Sequence, residues 1–153
     1  MKDTVYKEEQ ITRLANDLSL PVVKVVDIWD AYVDNLLYHI YSGSTVKFLG
    51  VCYLRVNNET YDVQYTLAYM SNEIANKLAM SSEIVYRVLT SWQDIILSDL
   101  KKDRAYSVRR IATMSIEDNR LRLRKSTVYT GSGLDVRVMA CPSFKRKVEG
   151  YAR

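Results

Sequence analysis

The chain has 153 residues, which suits one ordinary domain or two small ones. Hydrophobic residues make up 48% and charged residues 26%, which supports a packed core and argues against a disordered chain. The net charge of +4 is unevenly spread: residues 1–66 carry 6 Lys/Arg against 9 Asp/Glu, and residues 67–153 carry 16 against 9. No apolar run approaches the ~18 residues of a membrane span, and Met1-Lys2-Asp3 lacks signal-peptide character.

In chain order, Ile11, Leu14, Ala15 and Leu18 fall at helical spacing and predict a helix over 5–18. Pro21 suits the first turn of a second helix over 21–41. Its wide apolar face holds Val22, Val25, Val26, Trp29, Tyr32, Val33, Leu36, Leu37 and Ile40, and Asp27, Asp30 and Asp34 share a narrow polar stripe. Gly43 suits a left-handed cap. Residues 46–48 and 51–56 read as strands, Asn57-Asn58-Glu59-Thr60 as a tight turn, and Tyr61-Asp62-Val63-Gln64-Tyr65 as a third strand.

The pattern then starts again. Leu14-Ala15-Asn16-Asp17-Leu18-Ser19-Leu20 returns as Ile74-Ala75-Asn76-Lys77-Leu78-Ala79-Met80, 60 residues on. The same offset pairs Val25 with Val85, Tyr32 with Trp92, Phe48 with Val108 and Val51 with Ile111. We read a duplicated supersecondary unit. In the second copy a helix is expected over 72–79 behind a Ser71 or Asn72 cap, a long helix from Ser81 to about Lys102, and strands over 106–109 and 111–116. An excursion from Glu117 to Leu134 follows. In it, Arg120-Leu121-Arg122-Leu123-Arg124-Lys125 alternates arginine and leucine across two faces. With Asp135-Val136-Arg137-Val138 returning after Thr130-Gly131-Ser132-Gly133, it predicts a basic β-arm or long hairpin. Cys141-Pro142-Ser143-Phe144 then leads into a short basic helix over 145–149.

This order of helix, turn, long helix, three-stranded sheet with an arm, Pro-x-Phe and short helix resembles the HU and integration-host-factor (IHF) family. Ile74-Ala75-Asn76-Lys77-Leu78-Ala79-Met80-Ser81 resembles the family's first helix and turn. Leu49-Gly50-Val51-Cys52-Tyr53-Leu54-Arg55-Val56 and Arg110-Ile111-Ala112-Thr113-Met114 stand where the family has its Gly-Phe-Gly-Thr-Phe strand turn. Tyr129-Thr130-Gly131 resembles part of the arm's tip motif, and Cys141-Pro142-Ser143-Phe144 its Val-Pro-Ala-Phe. The resemblance implies an α+β fold of two tandem HU/IHF-like units. The first, 1–66, is armless and acidic; the second, 67–153, is basic with a β-arm and a short C-terminal helix. Family members bind DNA as intertwined dimers whose arm-tip prolines wedge between base pairs. Here Ser126-Thr127-Val128-Tyr129-Thr130-Gly131 has no such proline.

Two functional expectations follow. HU-like folds occur among virion proteins, and the likeness to IHF-like genes in the structural block of crAss-like phages implies a non-enzymatic structural protein of the neck or collar rings. It would be located in the virion and assembled in the host cytoplasm. In that reading Leu121, Leu123 and Val136 dock on a neighbouring subunit by strand addition, and the arginines meet acidic surfaces or packaged DNA. The alternative is an architectural DNA-binding protein of the cytoplasm or nucleoid. It would contact duplex phosphates through Arg120, Arg122, Arg124, Lys125, Arg137, Lys145, Arg146 and Lys147.

Neither reading calls for a cofactor, a metal, a small-molecule substrate or a membrane. No Gly-rich phosphate loop, paired catalytic carboxylates or nucleophile arrangement is present, so the chain reads as no enzyme. His39, the only histidine, reads as a surface or half-buried side chain near a helix end. The three aspartates read as a solvated stripe, Trp29 and Trp92 as core, and Cys52 and Cys141 as free thiols of a reducing compartment.

Overall fold

The repeat is visible in the elements themselves. In the computed structural model, which describes residues 3–42, 45–56, 66–108, 110–125 and 136–152, helix α1 (Lys7–Leu18) recurs as α3 (Leu67–Leu78). Likewise α2 (Val22–Tyr41) recurs as α4 (Ser82–Lys101), at the same 60-residue offset. Strands β2 (Val46–Phe48) and β3 (Cys52–Val56) recur as β4 (Ala105–Val108) and β5 (Ala112–Glu117). Added to these are β1 (Thr4–Val5), β6 (Arg120–Lys125), β7 (Val136–Ala140) and α5 (Pro142–Ala152). The fold is α+β.

Both short helices end alike. Ser19 and Ala79 adopt left-handed backbone, each at φ 54°. The following amides, of Leu20 and Met80, bond back to the carbonyls of Ala15 and Ala75 at 3.0 and 2.9 Å. This closes each helix with a Schellman pattern and sets the sharp entry into the long helix. The expected cap of the second short helix is misplaced. The helix begins at Leu67, and Thr66 caps it by accepting the Tyr69 amide at 3.0 Å. Ser71 lies inside the helix, where its hydroxyl donates to the Leu67 carbonyl one turn earlier, at 2.8 Å. α5 also starts earlier than expected, at Pro142, whose missing N–H costs nothing in a first turn.

The largest departure concerns the basic arm. Asp118 and Asn119 both take positive φ, 52° and 60°, and make a two-residue turn of the kind that matches strand twist. β6 therefore folds straight back onto β5, from Glu117↔Arg120 to Ala112↔Lys125. β7 pairs instead with β3, from Val56↔Val136 to Cys52↔Ala140. The strands expected to form one hairpin thus belong to two different sheets. The turn at 57–60, the strand at 61–65, Gly43 and the tip residues 129–133 lie outside the described residues.

The sheets have strand orders β1-β4-β5-β6 and β2-β3-β7. β1 pairs in parallel with β4 and every other pairing is antiparallel. Each sheet so contains a strand from the opposite end of the chain. The helices cross over too, α1 packing on α4 and α3 on α2. One hydrophobic cluster holds residues of both halves. At its centre the rings of Trp29 and Trp92 stack with centroids 3.6 Å apart, and Phe48 and Tyr32 meet Trp92 edge-on at 5.2 and 5.9 Å. Trp29 and Trp92 are core, as their positions predict. Among the described residues, no helix is long and apolar enough to cross a membrane.

Candidate interaction surface

β6 is amphipathic, and its apolar side turns inward. Leu121 is buried in the chain's own core and Leu123 packs against it. Glu149 of α5 accepts the Leu121 amide at 3.3 Å. For Leu121 the expectation of docking on a neighbour is therefore corrected: α5 already covers that side, with Phe144 and Val148 buried there, whereas Leu123 is half-buried. A carboxylate placed at Leu121 would report on folding rather than on docking. Val136 is joined to Val56 in the β3–β7 ladder, and its side chain lies outside the described residues.

The outward side of β6 carries Arg120, Arg122 and Arg124, all exposed, with exposed Lys125 at its end. Register places Arg122 beside Ser115 and Arg124 beside Thr113, which in turn faces Ser107. Hydroxyls thus lie next to guanidinium groups across the sheet.

This face continues onto the second sheet, because β6 and β7 lie against each other. There Arg137 is exposed and sits opposite Arg55, and exposed Met139 sits opposite Tyr53. Lys47 lies opposite Tyr53 on the other side, its ammonium 5.5 Å from the ring centroid. Lys47 and Arg55 were absent from the sequence-based set. Their strand parity carried the signal, since Val46, Phe48, Cys52 and Leu54 on either side are all buried. Two arginines directly opposite each other weaken a ladder, and the buried Arg55 Nε has no hydrogen-bond partner among the described residues. Facing the cations Lys47, Arg55, Arg120, Arg122, Arg124 and Arg137 is a single described carboxylate on these strands, Glu117, 3.6 Å from Arg124.

The remaining basic residues do not join this face. Lys145, Arg146 and Lys147 are exposed on α5, which lies on the core side of β6 against α4. The basic set predicted as one surface is split in two by the body of the sheet.

The other candidates resolve into structural roles. Asp30 pairs with Lys7 at 2.7 Å and Asp34 with Arg110 at 2.9 Å. The acidic stripe is thus largely engaged within the chain, and Asp27 is exposed. His39 is buried and lies 3.1 Å from Glu73. Cys52 and Cys141 are free and buried. Burial pushes both thiols up, and the neighbouring Cys141 adds to the shift at Cys52. Both are thereby kept protonated and poorly reactive. Among the described residues no group of His, Cys, Asp or Glu is arranged to hold a metal ion.

A charged cluster pins the start of the chain to the second half. Arg104 bonds Glu9 at 2.7 and 3.0 Å and Asp3 at 2.9 Å. Gln10 donates to the carbonyls of Val5 and Ser107, bridging β1 and β4. The bond to Arg104 holds the Glu9 carboxyl below its ordinary 4.5. A carboxyl depressed in the folded state stabilises above its unfolded pKa, and that contribution is lost as pH falls through the folded value. Thermal stability is expected to decline as pH falls below the ordinary 4.5 and through the lowered folded value, and Arg104→Gln is expected to flatten part of that decline. Parallel Tm–pH curves for the two proteins would refute the linkage.

No known family model matches this sequence, and no curated protein matches it.

Proposed function

We propose that this protein is a non-enzymatic structural protein with an HU/IHF-like fold, a phage virion component of the neck or collar that docks neighbouring subunits in a ring. Each half supplies a helix, a turn, a long helix and a strand pair, and the two halves share one core, which supports reading them as counterparts of the family's two subunits. The observation that carries the assembly reading is the strand exchange. Among the described residues β6 and β7 are committed to different sheets, so these two strands do not pair as the two sides of one duplex-clasping arm. With Leu121 in the core and Leu123 packed against it, docking falls to the outward cations of β6, β7 and β3, which suit an acidic neighbour.

One observation favours a second reading. The same cationic face, interleaved with Ser and Thr hydroxyls, suits the phosphates of packaged or free duplex DNA.

The Arg120→Ala/Arg122→Ala/Arg124→Ala triple variant separates the two. For a ring protein, the wild-type chain associates with itself or with a partner chain and the variant does not. Duplex binding is then no tighter than micromolar at about 0.15 M salt, the range of non-specific contact. Submicromolar duplex binding, with a salt slope that falls by about 3 in the variant, would instead establish the DNA reading.

A further inference from the structure

The 60-residue offset also relates the contacts between the halves, and there the copies differ in sign. Arg13 on α1 meets Asp99 on α4, with Nη1 2.7 and 2.6 Å from the two carboxylate oxygens. The Asp99 side chain is 1% exposed, and Arg104 stands 3.7 Å from it. The repeat turns Arg13 into Glu73 on α3, and Asp99 is the counterpart of His39 on α2. Those two also meet. His39 Nε2 lies 3.1 Å from Glu73 Oε1, and Asn35 donates to the same oxygen at 3.3 Å. One seam has its cation on the short helix and its carboxylate on the long one. The other has its carboxylate on the short helix and an imidazole on the long one.

We propose that this reversed polarity is a pairing key, by which each half of the chain accepts only the unlike half. If two first halves paired, Arg13 would meet His39 at both seams and lose its buried carboxylate partner, keeping only the longer 3.8 Å contact to Glu9 on its own helix. Were two second halves to pair, Glu73 would meet Asp99, two carboxylates at a buried position. Unpaired or like charges out of water are strongly disfavoured, and this is how an interface rejects a wrong partner.

The core repeats the message. Trp29 stacks on Trp92, whose counterpart is Tyr32, and the counterpart of Trp29 is Leu89. Only unlike halves set Trp29 against Trp92: two first halves would put Tyr32 in place of Trp92, and two second halves would put Leu89 in place of Trp29 and crowd one Trp92 onto the other where Tyr32 now stands. Arg104 also pairs across the halves, with Asp3 and Glu9, whereas the exposed pair Arg110–Asp34 does not discriminate against two second halves, because Asp94 is the counterpart of Asp34 and would serve Arg110 as well. The partner of a half is thus the opposite half, of its own chain or of a second copy that has exchanged halves. This inference is independent of the proposed docking role.

Full-length variants test it. Arg13→Glu and Asp99→Arg are each expected to lower Tm by roughly 10 °C, and the double variant is expected to recover most of that loss. Refolded together at high concentration, the two single variants are expected to form a species of twice the chain mass, because exchange restores complementary pairs at every seam. Glu73→Lys with His39→Glu repeats the test at the less buried seam, should the first pair fail to fold. Double variants no more stable than their parents, or co-refolded singles that stay at single-chain mass with their separate Tm values, would overturn the key.

Discussion

Trp92→Ala is expected to cost about 5 kcal/mol of folding stability, at the top of the range for truncating a buried large aromatic. Trp92 is fully buried between the other long helix and both sheets, against Trp29, Phe48 of β2 and Tyr106 of β4. Its ring stacks on Trp29 and takes Phe48 and Tyr32 on its edges. Its indole N–H donates to the Tyr106 hydroxyl at 2.9 Å. Truncation removes the ring contacts and leaves a buried hydroxyl short of a partner, which by itself costs about 1–3 kcal/mol. A loss of that size is a third or more of the stability of an ordinary domain. The urea midpoint checks it, read together with the slope of the transition. Trp92→Phe keeps most of the apolar area and isolates the hydroxyl. Its loss should fall near 1–2 kcal/mol. A Trp92→Ala loss below about 2 kcal/mol would mean that the junction can collapse around the missing ring.

Phe144→Ala is expected to cost about 3 kcal/mol, and its effect should appear in the other half of the chain. Phe144 and Val148 anchor α5 beneath β6 and against α4. Cys141, just before the helix, is buried, and its amide bonds the Val51 carbonyl at 2.9 Å. Loosening α5 therefore loosens β7, and β7 is the third strand of the sheet formed by the first half. Amide exchange should rise in α5 and β7 and then in β3, which is distant in sequence but paired with β7. Exchange that rises in α5 while β3 keeps its protection would show that β7 holds without the helix.

Much of the architecture is legible locally. Ile11, Leu14 and Ala15, and again Ile74 and Ala75, mark the buried sides of the short helices by spacing alone. The single Gly50 gives little away, because its role is an approach: its amide reaches Gln93 at 3.1 Å, and an added Cβ would meet that side chain at 2.9 Å. Ser71 misled because a hydroxyl that caps a helix from outside can equally bond back to a carbonyl within it. The turn at Asp118-Asn119 was hidden among polar residues, although both types tolerate left-handed backbone.

The outward arginines of β6 and the burial of the tryptophans followed from periodicity, because which side of an element faces the core is a local property. Partner choice is not. The alternation in Arg120–Lys125 and Val136–Ala140 says which side chains point inward, but nothing about which neighbour completes each strand's hydrogen bonds. That was decided by the closure of the two halves on each other, which sent β7 to β3 and β1 to β4. The same closure set Arg13 against Asp99 and brought Lys47 and Arg55 beside the cations of β7, while the packing of α5 on β6 buried Leu121. Each of these depends on contacts between residues far apart in the chain, where hydrophobic burial and backbone hydrogen bonding must be satisfied together.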